Sequence, residues 1–199
     1  MHIVEWVAAA LGLLSVWLNV REDWRGWPVG AVMVALYFAV FARVKLYADA
    51  GLQVIYFVLQ FYGWYEWVRG GENKGGVAVS RSPSRVLAAC AAVGVTGTVV
   101  LGTVLRRYTD QALPYWDSGI TAFSLVAQWM LARKYLENWL LWAAIDVIAI
   151  GVYWTKHLVP TAVLYGCFLL LCLRGYQRWR QTLEESAVGS RQSSVVRKS

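Results

Sequence analysis

Apolar positions gather into seven stretches along the chain, at about 3–20, 28–43, 48–68, 86–105, 118–135, 139–155 and 158–175, with short polar turns between most of them. A bilayer core about 30 Å thick asks for roughly 20 mostly apolar residues per helix. Flanking Trp, Tyr and Arg side chains reach the interface where a stretch is shorter than that. The pattern therefore predicts an all-α integral membrane protein of seven transmembrane helices, with no room for a sizeable soluble domain. Residues 69–85, R-G-G-E-N-K-G-G-V-A-V-S-R-S-P-S-R, interrupt the pattern and read as a flexible surface linker. Residues 184–199 are polar and Ser-rich and are expected to lack order.

Composition agrees with this reading: 58% of residues are hydrophobic and 16% charged, against roughly half and a quarter in soluble domains. A net charge of +7 would point to nucleic acid in a soluble protein, but here the basic residues lie between and after the apolar stretches. Arg43, Lys45, Arg106, Arg107 and Lys156 fall on the side of the N-terminus and the other 14 of 19 on the opposite side. Basic loops stay in the cytoplasm, so the N-terminus is expected outside and the C-terminus inside a bacterial inner membrane, with lipid and not nucleic acid as the surrounding partner. The first stretch lacks a basic start and a small-residue cleavage pattern, so it is expected to remain in the mature chain.

The chain also repeats itself. Trp17 and Arg21 recur as Trp129 and Arg133, and Gly63 and Trp67 recur as Gly175 and Trp179, each 112 residues later. Trp24 and Trp27 pair in this reading with Trp139 and Trp142, three residues being inserted before them and removed again before the next helix. Segments one to three thus match segments five to seven. Two such units joined directly would point in opposite directions, and a single linking helix restores a parallel arrangement. The expected organisation is a first three-helix repeat over 1–68, a cytoplasmic linker over 69–85, a linking helix over 86–105, a second repeat over 106–180 and a tail over 181–199. Such a 3+1+3 layout of parallel repeats is the plan of the SWEET carriers, which bind solute between the repeats near the midplane. Ala88, Ala92, Gly94, Gly97 and Gly102 suit segment four to close packing.

Polar groups inside spans are costly and mark candidate contacts. Asp49, Gln53, Tyr56 and Gln60 form one stripe on segment three, expected to face the protein interior. Gln128, a turn inside the end of segment five, suits a ligand hydroxyl or a neighbouring helix. Trp139 and Trp142 share a helix face and can stack on a flat cationic ring or serve an interfacial belt. Asp146 lies on that face about 10 Å deeper and needs an Arg, a proton or a cationic substrate. Arg133 and Glu137, four residues apart, are expected to pair and close the hairpin. Cys90, Cys167 and Cys172 lie in apolar runs without metal-ligand spacing and read as packing or lipid-facing residues. The chain carries no zinc-protease, nucleophile-elbow or nucleotide-loop motif, and His2 and His157 sit at membrane edges, so neither an enzyme nor a cofactor or metal is expected.

The run Q-W-M-L-A-R-K-Y-L-E-N-W-L-L-W-A-A-I-D-V at 128–147, with G-W-P-V-G at 26–30 and F-Y-G-W-Y-E-W at 61–67, resembles the PnuC family of bacterial nicotinamide riboside transporters over nearly all seven segments. The resemblance implies import of an NAD precursor by facilitated diffusion, trapped by a cytoplasmic ribosylnicotinamide kinase, and assembly as a homotrimer. It implies that Gln128, Asn138, Trp139 and Trp142 are signature residues and that Gln53, Tyr56 and Gln60 lie on the ligand-facing third helix. Relatives associated with thiamine or riboflavin leave the solute open. A membrane scaffold that docks partner helices through its Trp pairs is the alternative from another class.

Overall fold

Among the described residues seven α-helices follow one another: α1 (His2–Val20), α2 (Gly26–Arg43), α3 (Tyr47–Arg69), α4 (Ser84–Tyr108), α5 (Pro114–Ala132), α6 (Asn138–Thr155) and α7 (Val159–Val196). The computed structural model describes every residue except 1, 44, 46, 72–74, 110–112 and 197–199, and at 2, 47, 48 and 189–196 only the backbone. Each helix falls on a predicted apolar stretch. Helix α5 starts four residues ahead of the expected segment because Pro114 occupies its first turn, where a missing N–H costs nothing.

Among the described residues five helices, α1, α2, α4, α6 and α7, are long and apolar enough to cross a membrane by length and composition. Helices α3 and α5 are as long but more polar, carrying Gln53, Gln60, Ser118, Ser124 and Gln128. These two helices pack on each other, and on α5 all three of Ser118, Ser124 and Gln128 are buried. A helix whose polar residues turn inward has no need of a uniformly apolar surface. Around the molecule α1 packs on α2, α2 on α3, α3 on α5, α5 on α6, α6 on α7 and α7 back on α1, a closed ring with α4 outside it against α5. Gly94 and Gly102 of α4 lie against the rings of Phe123 and Tyr115.

The same contacts occur twice, 112 residues apart. Trp27 packs edge-on to Trp67 with ring centroids 5.5 Å apart, and Trp139 packs edge-on to Trp179 at 5.2 Å. The Trp67 indole N–H donates to the Leu131 carbonyl at 3.2 Å, and the Trp179 N–H donates to the Asn19 carbonyl at 3.2 Å. Left-handed backbone, unusual for residues other than glycine, turns the chain at Glu22 and Lys134 and again at Lys45 and His157. All of these keep one offset, so the three-residue insertion expected from the sequence does not exist. Trp27 corresponds to Trp139, and Trp142 falls opposite Gly30; the W-x-x-W spacing shared by 24–27 and 139–142 is a coincidence of a Trp-rich chain.

Three further expectations are corrected. The described linker residues are pinned: the Ser80 N–H donates to the Lys134 carbonyl at 3.0 Å, the Leu136 N–H to the Ser80 carbonyl at 2.9 Å, and the Ser82 N–H to the Glu137 carboxylate at 2.8 Å. Glu137 is thereby engaged, and Arg133 pairs with Glu66 of α3 at 3.2 Å instead of with Glu137. The tail expected without order continues α7 as helix to Val196. No proline interrupts that stretch, and Arg180 pairs with Glu184 one turn on, at 2.9 Å.

Candidate functional site

The Trp pairs end the ring on one side. Trp27, Trp67, Trp139 and Trp179 are all buried, together with Val20, Leu131, Ala132, Leu136 and Cys172. Glycine lets the indoles settle: a β-carbon on Gly63 would stand 2.2 Å from Trp27, and one on Gly175 would stand 2.6 Å from Trp139. Over this cluster Lys134 bonds Glu22 at 3.2 Å, the Thr182 hydroxyl donates to Glu22 at 3.0 Å, and the Lys134 ammonium lies 4.6 Å from the centre of the Trp67 ring.

Deeper in the ring lies a carboxyl group that no cation pairs with among the described residues. Asp146 of α6 is buried, and the Cys172 thiol of α7 donates to its carboxylate at 3.4 Å. None of the ion pairs among the described residues involves Asp146. Tyr165 of α7 stands within electrostatic reach of Asp146, Tyr56 and Tyr153, and Tyr56 faces the Ser124 hydroxyl of α5. Groups from α3, α5, α6 and α7 therefore converge at mid-depth. Gln60, one turn from Tyr56, is buried against Gly30 of α2, where a β-carbon would come 2.7 Å from its amide nitrogen, and its amide oxygen is buried without a partner. A carboxylate, a free amide oxygen and phenolic hydroxyls can hold a small polar or cationic molecule, and no cluster of metal-binding side chains occurs among the described residues.

Of the eight residues singled out from the sequence, Tyr56 and Asp146 meet around Tyr165, and Gln60 adjoins them along α3. Gln128 is buried on α5. Trp142 is half-buried beside the Trp cluster. Asn138 and Trp139 lie at the Trp end: the Asn138 amide donates to its own loop at Tyr135, while its oxygen and the Trp139 indole N–H are buried without partners. The Trp139 ring itself is occupied on its face by Gly175 and at its edge by Trp179. Gln53 is set apart, lining an apolar groove of about 230 Å³ between α2 and α3 with Val34, Ala35, Phe38, Val54 and Phe57. Asp49 is exposed. Sequence reasoning missed Ser124, Tyr153, Tyr165 and the polar role of Cys172. The 112-residue offset carries Gln53 to Tyr165 and Gln60 to Cys172, a signal that was available once the register was right.

Residues 2–181 match the family model described as nicotinamide mononucleotide transporter. The nicotinamide riboside transporter PnuC of Escherichia coli (strain K12) is 29% identical, the match covering 92% of this chain and 87% of that protein. The riboflavin/roseoflavin transporter RibM of Streptomyces davaonensis is 27% identical over 89% of this chain and 85% of its own. The crystal structure of the vitamin B3 transporter PnuC superposes with a TM-score of 0.70 at 26% identity, covering 90% of this chain and 81% of that one.

Proposed function

Because the chain belongs to the nicotinamide mononucleotide transporter family, and is thus a multi-pass membrane transporter and not an enzyme, we propose that the solute it carries is nicotinamide riboside. The observation that carries this reading is Asp146, a buried carboxylate whose one hydrogen-bond partner among the described residues is a thiol. A carboxylate held in a low-dielectric interior calls for a cation. The pyridinium ring of nicotinamide riboside is a flat cation with a carboxamide, suited to Asp146 and to the free amide oxygen of Gln60. Riboflavin, the solute in the name of one relative, is neutral and gives the carboxylate no counter-charge.

In this reading Gln60, Tyr56, Gln128 and Asp146 contact the solute, with Trp142 at the margin, Asn138 and Trp139 shaping the end of the path and Gln53 lining an outer groove. Helices α1–α3 and α5–α7 form two parallel units joined by α4 on the SWEET plan, and solute binds between them. The N-terminus lies outside and the C-terminus in the cytoplasm of a bacterial inner membrane. Transport is facilitated diffusion, made unidirectional by a cytoplasmic kinase that phosphorylates the solute, and the working form is a homotrimer.

Titration calorimetry on the detergent-purified protein with nicotinamide riboside, thiamine and riboflavin tests the solute. Micromolar binding of nicotinamide riboside alone is expected. Preference for another ring replaces the substrate, and no binding of any of the three removes the transport reading of the site.

A further inference from the structure

The links between helices α1–α3 and α5–α7 are gathered at one end of the ring. Trp67 to Leu131, Trp179 to Asn19, Lys134 to Glu22, Thr182 to Glu22 and Arg133 to Glu66 all lie where α1, α3 and α5 finish. Tyr62 of α3 also bonds Arg133 at this end, and Tyr56 faces Ser124 at mid-depth. At the opposite end the ion pair Asp117–Lys156, 2.8 Å, stays within the second set, between α5 and the end of α6. Among the described residues the ring is thus bolted on one side.

The bolt is built to be undone. Glu22 and Lys134 keep 22% and 11% of their side-chain surface exposed, so water can replace each partner, as it cannot in a fully buried pair. Both sit on left-handed turns outside the helices, so they can withdraw without unwinding one. Lys134 joins three elements at once, bonding Glu22 between α1 and α2 while lying over Trp67 at the end of α3. Behind it, Cys172 and Asp146 lie seven residues along α7 and α6 from Trp179 and Trp139, about 10 Å deeper by helical rise.

We propose that the Glu22–Lys134 ion pair, laid over Trp67, latches a gate at this end of the ring and parts whenever the path to Asp146 opens on that side. The inference rests on the transport reading, but not on which solute is carried. Loss of either partner shifts the population toward the open state, because only the closed state contains the pair.

Cys172 is a native reporter for this. In a Cys90→Ala, Cys167→Ala background it is the remaining thiol, and a membrane-impermeant maleimide is added to vesicles on the face that carries residues 75–83. Glu22→Gln and Lys134→Met are each expected to raise the rate of Cys172 modification roughly tenfold, and the exchange Glu22→Lys with Lys134→Glu is expected to bring it back toward the parent rate. Unchanged rates in both single variants, in protein that inserts and elutes as the parent does, would overturn the gate. Should either variant fail to insert, Thr182→Val weakens the hold on Glu22 without stranding a charge; a smaller rise is expected there, and no rise overturns the gate equally. The rates are read without solute, whereas slowing of the modification by added nicotinamide riboside reports on the solute, so the two readings fail separately.

Discussion

Gly175 lies so close against Trp139 that a β-carbon would stand 2.6 Å from the indole, just as Gly63 lies against Trp27. Backbone meets ring face at both places, and neither indole has room to retreat, since Trp179 and Trp67 close their edges. Gly175→Ala and Gly63→Ala are each expected to destabilise the protein by about 1–3 kcal/mol through overpacking. A fall in the midpoint of thermal unfolding in detergent checks this, and an unshifted midpoint would mean that the helices separate freely.

Trp139 and Trp142 share a face of α6 but not a job. Trp139 is 2% exposed within the Trp cluster, and Trp139→Ala is expected to cost about 3–5 kcal/mol. Trp142, only half-buried, is expected to lose solute affinity on truncation with a small change in stability. Paired unfolding and binding measurements on the two variants check the division; equal stability losses would place Trp142 in the core.

Asp146→Asn keeps the shape of the side chain and removes its charge. Hydrogen bonds to charged groups contribute about 1.5–3 kcal/mol, so affinity for nicotinamide riboside should fall by about 10- to 100-fold. The neutral dihydro form of the same riboside should bind both proteins alike. If the substitution weakened the two ligands equally, Asp146 would be reading something other than charge.

Ser80 holds the linker to the α5–α6 turn through both its N–H and its carbonyl. Ser80→Pro deletes the donor to Lys134 and leaves a carbonyl short of a partner, a cost of about 1–3 kcal/mol. Residues 75–83 are expected to be cut faster by an added protease than in the parent. Equal cutting rates would show that the bridge does not hold the segment.

Much of the architecture could be read from hydrophobic pattern alone, because a lipid environment forces long apolar helices and leaves few other solutions. Helix positions came from that source, and the linking α4 and the match of Gly63 and Trp67 to Gly175 and Trp179 came from the recurrence of residues 112 apart. The register of the repeat did not, because Trp24, Trp27, Trp139 and Trp142 offer two alignments of equal spacing, and the matched ring contacts, indole hydrogen bonds and left-handed turns separate them. Tyr56, Gln60 and Asp146 stood out in the sequence as polar residues in apolar helices. Tyr165 and Cys172 did not, since a tyrosine and a cysteine in such a helix look like packing until a carboxylate is found beside them. The partners of Arg133 and Glu137 were hidden for another reason: both lie far away in sequence, Glu66 at the end of α3 and Ser82 in the linker, and i,i+4 spacing carries no information about such contacts.

The matched turns at Glu22 and Lys134 have the same backbone and opposite charge. Were the two halves alike in residue as they are in shape, either two carboxylates or two ammonium groups would meet at this end of the ring, and like charges facing each other there would drive the halves apart. Divergence at that one matched position turns self-repulsion into mutual attraction, so each half recognises the other in preference to a second copy of itself.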